Sequence, residues 1–183
     1  MISLVIRHIL GLRKFKFMDW NVFLRELHVL GTALGVGGST FAEIFAIKFA
    51  KDKKIDIFEH EILKVCITVI RIGLIILTFS GLGLLVLWRM KLLGSDVFYS
   101  GRFLAKMTIL LILIFIALLM NFRLVNLKLG SAVSTASWYA AMILGIWRGL
   151  HISYFVIMAG FGVFAVLVYF FLEYARKKYL KSK

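Results

Sequence analysis

Residues 22–48 read VFLRELHVLGTALGVGGSTFAEIFAIK. This stretch is longer than the roughly 20 apolar residues that a helix needs to cross the hydrocarbon core of a bilayer. Comparable stretches follow at about 62–88, 103–125, 131–148 and 151–173. Hydrophobic residues make up 62% of the chain, whereas soluble domains have roughly 45–50%. The sequence therefore predicts an all-α, polytopic transmembrane helical bundle of about five spans.

The N-terminal segment differs from the predicted spans because basic residues interrupt it. Arg7, Arg13 and Lys14 lie among apolar residues there, which predicts an amphipathic interfacial helix at 1–21. Its charges and the lack of a small-residue cleavage site argue against a cleaved signal peptide. We expect the transmembrane helical domain to cover 22–175 and a basic tail to follow at 176–183.

The number of spans and the distribution of charge indicate how the protein is oriented in a membrane and what its surface contacts there. Five spans put the two chain ends on opposite sides of the membrane; side A is where the first span begins, and side B is the other. The net charge is +14, and basic residues flank apolar blocks, which favours anionic lipid headgroups as partners over nucleic acid. Lys and Arg are more frequent on side B, which favours a cytoplasmic side B. We expect a multi-pass protein of the cell (plasma or inner) membrane, and the sequence leaves open whether it forms a homo-oligomer.

Four polar residues interrupt the apolar spans: His28, Glu43, Arg71 and Lys106. A charged side chain at mid-depth costs roughly 2.5–3.5 kcal/mol by insertion scales, so each is expected to pair, to face water or to bind a ligand. The helical rise of about 1.5 Å per residue places His28 and Lys106 near side A. The same rise places Glu43 and Arg71 in the half nearer side B.

The side-B residues are candidates for a buried ion pair. Glu43 lies about five residues, and Arg71 about nine residues, from the side-B ends of neighbouring antiparallel spans, a difference of roughly 6 Å in depth. An Arg side chain can cover that distance. We therefore predict a Glu43–Arg71 ion pair, which either locks two helices together or takes part in ion or proton transfer.

Small residues recur at helical spacing on the first two spans. Gly31, Gly35 and Ser39 are four residues apart, and Gly73, Ser80 and Gly81 lie on the second span. Helices approach closely where side chains are small. The pattern favours close helix packing, although a bare backbone could also leave room for a flat cofactor beside His28.

A family resemblance rests on the order of these residues. Residues 26–41, ELHVLGTALGVGGSTF, place His28 near a helix start before a run of small residues; RIG at 71–73 and SGL at 80–82 follow, and Lys106 opens the third span. This order resembles the CopD-like membrane proteins and the HemJ-type protoporphyrinogen oxidases over about residues 22–125. The resemblance implies haem b bound through His28 and a catalytic contribution from Lys106. The HemJ pattern has a further His after the Lys, where this chain has Asn121 and Arg123.

Other residues near side A could complete such a site. A neutral imidazole can bind haem iron through its unprotonated nitrogen, and His151 on the fifth span could supply a second axial ligand to the iron held by His28. Lys106 and Arg102 could contact haem propionates or another anionic ligand. The alternative is that His28 is an ordinary polar residue of the membrane interface.

Three functions are consistent with these features. The first is a haem- or porphyrin-binding, redox-linked membrane protein that uses His28 and Lys106. The second is a small ion or copper transporter or channel that uses Glu43 and Arg71. The third is a non-catalytic membrane subunit whose buried charges specify packing. The sequence leaves open whether the protein is an enzyme and whether it holds haem b or no cofactor.

Overall fold

The computed structural model describes residues 19–49, 56–89, 100–147 and 152–181. These ranges contain five helices and no strand: α1 (Trp20–Phe49), α2 (Ile57–Arg89), α3 (Gly101–Asn121), α4 (Leu127–Ile146) and α5 (Tyr154–Lys181). Each helix is long and apolar enough to cross a membrane. The predicted all-α bundle of five spans is confirmed, and the chain is a multi-pass membrane protein. Most of the interfacial helix predicted at 1–21 lies outside the described residues.

The turn between α3 and α4 comes earlier in the chain than the sequence indicates, although it has the same length. The third span was expected to reach residue 125, but α3 ends at Asn121. The N–H of Arg123 donates to the carbonyl of Met120 at 3.1 Å, and that of Leu124 donates to Leu119 at 2.9 Å. Arg123 has a φ of 57°. These bonds form a Schellman motif, which satisfies the last helical carbonyls and stops the helix.

The C-terminal helix continues beyond the span that hydropathy indicates. The fifth span was expected to end near residue 173, before a basic tail at 176–183. In the structure α5 extends to Lys181, so the described part of that tail is helical. Arg176 consequently belongs to a membrane-spanning helix, where its side chain faces other helices.

Helices α1 and α2 form the most extensive helix pair among the described residues. A Cβ atom on Gly73 would lie 2.8 Å from the backbone nitrogen of Gly35 and 2.9 Å from the backbone oxygen of Gly31. A Cβ on Gly31 would in turn lie 2.7 Å from the backbone nitrogen of Leu77. The two backbones therefore touch directly, which only glycine permits, and the small residues pack the helices as expected.

Helix α4 lies at the centre of the bundle. It packs against α1, α3 and α5, and its fully buried Trp138 meets Gly35 of α1. Leu77 and Leu113 complete a cluster around the indole ring. The Ser and Thr residues that make this span the least apolar are thus largely shielded from lipid; Ser137, for example, donates to the carbonyl of Val133 at 2.8 Å.

The glycine contact leads to a stability prediction. Gly73→Ala should push α1 and α2 apart and lower the free energy of unfolding by about 1–3 kcal/mol, because the added methyl group meets backbone that cannot rotate away. The measurement is unfolding by titration with a denaturing detergent, followed by circular dichroism.

Gly37→Ala is the matched control on the partner helix, since no atom lies within 4 Å of the Cβ it would carry. It should be neutral or slightly stabilising, because Ala has the higher helix propensity. Equal losses of stability in the two variants would contradict the packing described above.

Candidate functional site

His28 lies in the interface between α1 and α2, near side A. It is half-buried, and its Nδ1 is 3.1 Å from the hydroxyl oxygen of Ser80 on α2. The Cβ that Gly81 lacks would lie 3.4 Å from His28 Cε1. Ser80 and Gly81 therefore hold one edge of the imidazole ring against α2.

The hydrogen bonds of Ser80 favour one tautomer of His28. The Ser80 hydroxyl lies 2.7 Å from the carbonyl oxygen of Ile76 and 3.1 Å from that of Leu77. A hydroxyl has one proton and a carbonyl oxygen can only accept, so the proton of Ser80 points to its own helix. Ser80 must then accept from His28 Nδ1. In the neutral imidazole this leaves the lone pair on Nε2.

A cationic residue of α3, Lys106, is within electrostatic range of His28. Lys106 is five residues into α3, about 8 Å along its axis, and His28 is eight residues into α1, about 12 Å along its axis. The positive charge of Lys106 acts on the His28 ring. Both residues thus lie in the halves of their helices nearer side A, the end to which the sequence assigns them.

The other two side-A candidates are placed differently. Arg102 donates from Nη1 to the carbonyl of Trp147 at 2.6 Å, which satisfies the C-terminal end of α4 as basic side chains commonly do. Arg102 therefore joins α3 to α4. His151, expected as a second iron ligand, lies outside the described residues.

Glu43 forms a buried ion pair, but its partner is not the predicted one. Arg176 Nη2 on α5 donates to Glu43 Oε2 at 2.8 Å, and the two side chains are only 13% and 8% exposed, respectively. The same nitrogen lies 3.4 Å from the hydroxyl of Ser131 on α4. This polar node of Glu43, Arg176 and Ser131 connects α1, α4 and α5 near side B. The predicted Glu43–Arg71 ion pair is therefore wrong.

The glycine contacts explain why Arg71 cannot reach Glu43. Gly35 lies opposite Gly73, and a Cβ on Gly38 would lie 2.9 Å from the side chain of Ile70. This register places Arg71 about six residues, or roughly 9 Å, deeper in the membrane than Glu43. Arg71 is exposed on the outside of the bundle and donates to Asn121 Oδ1 at 3.1 Å.

Two residues of these sites were missed or undervalued at the level of sequence. Arg176 was assigned to the tail, although Tyr174, Tyr179 and Leu180 continue an apolar pattern around it. The sequence indicates Ser80 as a small residue of the packing face and as part of the SGL motif, but not as a partner of His28. Its role depends on the register of two helices, which a single sequence does not display.

The described residues offer no ready site for a bare metal ion. His60 is exposed at the side-B end of α2, and no group of three or more His, Cys, Asp or Glu residues is arranged to hold a metal within the described ranges.

No protein-family model matches the sequence, and no curated protein or solved structure matches it. Function is therefore inferred from the two polar sites themselves: the His28–Ser80 pair with Lys106 at side A, and the node around Glu43 at side B.

The buried pair gives a second prediction. Arg176→Gln should lower the free energy of unfolding by about 3–5 kcal/mol, because it leaves the carboxylate of Glu43 buried without its counter-charge. The double variant Glu43→Gln with Arg176→Gln should lose less stability than Arg176→Gln alone. Unfolding by detergent titration gives both values.

Lys177→Gln is the control for this experiment. Lys177 also pairs with a carboxylate of the chain, Glu173, at 3.6 Å, but its side chain is 69% exposed. Such surface pairs contribute about 0–1 kcal/mol. The assignment of Arg176 fails if Lys177→Gln is as damaging as Arg176→Gln, or if the double variant is the least stable of all.

Proposed function

We propose that this membrane protein binds haem b, or a closely related porphyrin, at side A through Nε2 of His28, and that its function is redox-linked. The hydrogen bond between His28 Nδ1 and Ser80 is the observation that carries the proposal. It leaves Nε2 with the lone pair that an iron ligand needs.

The surroundings of His28 are typical of a metal-ligating histidine. Such a residue almost always donates its other ring N–H to a fixed acceptor, which holds the orientation of the ring and raises its basicity. Ser80 is such an acceptor, because the carbonyls of Ile76 and Leu77 hold its proton. A tetrapyrrole brings four nitrogen ligands of its own, so one protein imidazole suffices to attach it.

Lys106 supports an anionic ligand in particular. Its positive charge acts at the His28 ring within an apolar bundle, where a nearby carboxylate is attracted more strongly than in water. The propionates of haem are such carboxylates. Haem, when bound, would supply one-electron transfer; His28 would hold it, Ser80 would fix the orientation of His28, and Lys106 would attract its propionates.

The side-B node fits a structural role better than a transport role. The transporter hypothesis required Glu43 and Arg71 to form a relay, and the structure separates them. Glu43 instead joins Arg176 at 2.8 Å, in a node that holds three helices together.

An absorption spectrum tests the proposal. Protein expressed with added haem and purified in detergent should show a Soret band, and His28→Ala should remove most of it. Ser80→Ala should retain haem with an affinity about 10–100-fold weaker, because residues that hydrogen-bond to a metal ligand contribute on that scale.

His60→Ala is the matched control, since His60 is exposed at the opposite end of the bundle, and it should leave the band unchanged. A wild-type protein without a Soret band, or a His28→Ala variant with a full one, would overturn the proposal.

A further inference from the structure

Arg71 has an environment that the side-A site does not explain. It lies on the exposed surface of α2, within an apolar spanning helix. Its one hydrogen bond among the described residues goes to the neutral side chain of Asn121, at 3.1 Å. None of the ion pairs between described residues includes Arg71. A guanidinium carries a full charge and five N–H donors, so most of its binding capacity is unused.

The side chain of Arg71 extends towards side B. The Cα–Cβ bonds of a helix tilt towards its N-terminus, and α2 begins at side B with Ile57. Asn121 is the last residue of α3 and therefore lies at the side-B end of that helix. Gly130 of α4 lies at about the same level, because a Cβ on it would be 2.8 Å from the side chain of Met120. The guanidinium thus rises to the side-B end of α3, as long basic side chains do near membrane interfaces.

Further polar residues line the same path. Lys64, Thr68 and Arg71 lie at i, i+4 and i+7 on one face of α2, and all three are exposed. Arg123, also exposed, follows Asn121 in the turn after α3. The exposed face of α2 therefore carries a polar track from the side-B surface down to Arg71. Lys64 at its outer end also pairs with Glu61 at 3.5 Å, and Arg123 lies in the turn beyond Asn121.

The surface beside this track is apolar. Ile67, Ile72 and Ile75 are exposed within four residues of Arg71 on α2. On α3, Leu111, Phe115 and Leu118 are exposed at positions deeper in the membrane than Asn121, the partner of Arg71. A molecule that covers this region must combine an anionic head at the level of Arg71 with apolar chains that run deeper. A phospholipid has this construction.

We propose that Arg71 and Asn121 bind the phosphate of an anionic phospholipid from the side-B leaflet, with Lys64 and Arg123 at the rim of the site. A guanidinium matches the geometry of a phosphate and can donate two parallel hydrogen bonds to it. The lipid supplies the negative charge that Arg71 otherwise lacks in a medium where an unpaired charge is costly. This site is independent of the haem proposal, because it lies on another helix pair and near the other side of the membrane.

The test uses the full-length chain, stripped of lipid in detergent and titrated with phosphatidylglycerol under native mass spectrometry. Wild-type protein should retain one lipid per chain with an affinity about tenfold or more above that of Arg71→Gln, the scale of one charge-assisted hydrogen bond. Arg71→Lys should fall between the two, because it keeps the charge and loses the fork of donors.

Arg89→Gln is the matched control. It removes the same charge from the same helix, but from its side-A end, and should bind the lipid as wild type does. Asn121→Ala provides a second variant that leaves the charge in place, and it should weaken binding by a smaller factor. Circular dichroism verifies that each variant is helical before its affinity is compared.

Three results would overturn the proposal. Equal weakening by Arg71→Gln and Arg89→Gln would show attraction to net charge alone. An unchanged affinity in both Arg71→Gln and Asn121→Ala would place the lipid elsewhere. A wild-type dimer that Arg71→Gln converts to a monomer, with no retained lipid, would show that an acidic residue of a second copy covers Arg71.

Discussion

The backbone contact between α1 and α2 at Gly31, Gly35 and Gly73 is the constraint on which the other contacts depend. Side chains would hold two helices 8–10 Å apart and allow several registers, whereas direct glycine contact permits few. This register sets Ser80 opposite His28 near side A. It also holds Arg71 roughly 9 Å deeper than Glu43, which leaves Glu43 to Arg176 of α5. The two polar sites follow from a packing contact in which neither takes part.

The enclosure of α4 complements this contact. A span rich in Ser and Thr would be a poor neighbour for lipid, but here α1, α3 and α5 surround it. Trp138 fills the space that Gly35 leaves, and Ser131 contacts the buried node at 3.4 Å from Arg176. Of the five helices, α4 thus has the lowest mean hydropathy and is also the one most shielded from lipid. The position of α4 also makes it the helix with the most extensive packing against the α1–α2 pair, beside the direct link from Glu43 of α1 to Arg176 of α5.

The sequence predicts the fold well, because span length and apolar composition are properties of single segments. It also places His28 and Lys106 at the same end, since depth follows from position along a helix. It fails for Glu43, because partner choice depends on helix register and on which helices are neighbours. The limit of α5 was misjudged for a related reason: Arg176 resembles tail residues in composition, and only the contact with Glu43 shows that it belongs to the bundle. The acceptor role of Ser80 likewise depends on contacts across two helices: its hydroxyl meets the carbonyl oxygens of Ile76 and Leu77 on α2 and Nδ1 of His28 on α1.

The central claim is that this register favours the Nδ1–H tautomer of His28, with a free lone pair on Nε2. Nitrogen-15 NMR of protein labelled at histidine tests it directly, with the His28 signals identified by their loss in His28→Ala. At a pH where the ring is neutral, the account predicts a protonated Nδ1 and an unprotonated Nε2, with the preference weakened in Ser80→Ala. A wild-type His28 protonated at Nε2 instead would contradict the assignment of Ser80 as acceptor and, with it, the proposed iron ligand.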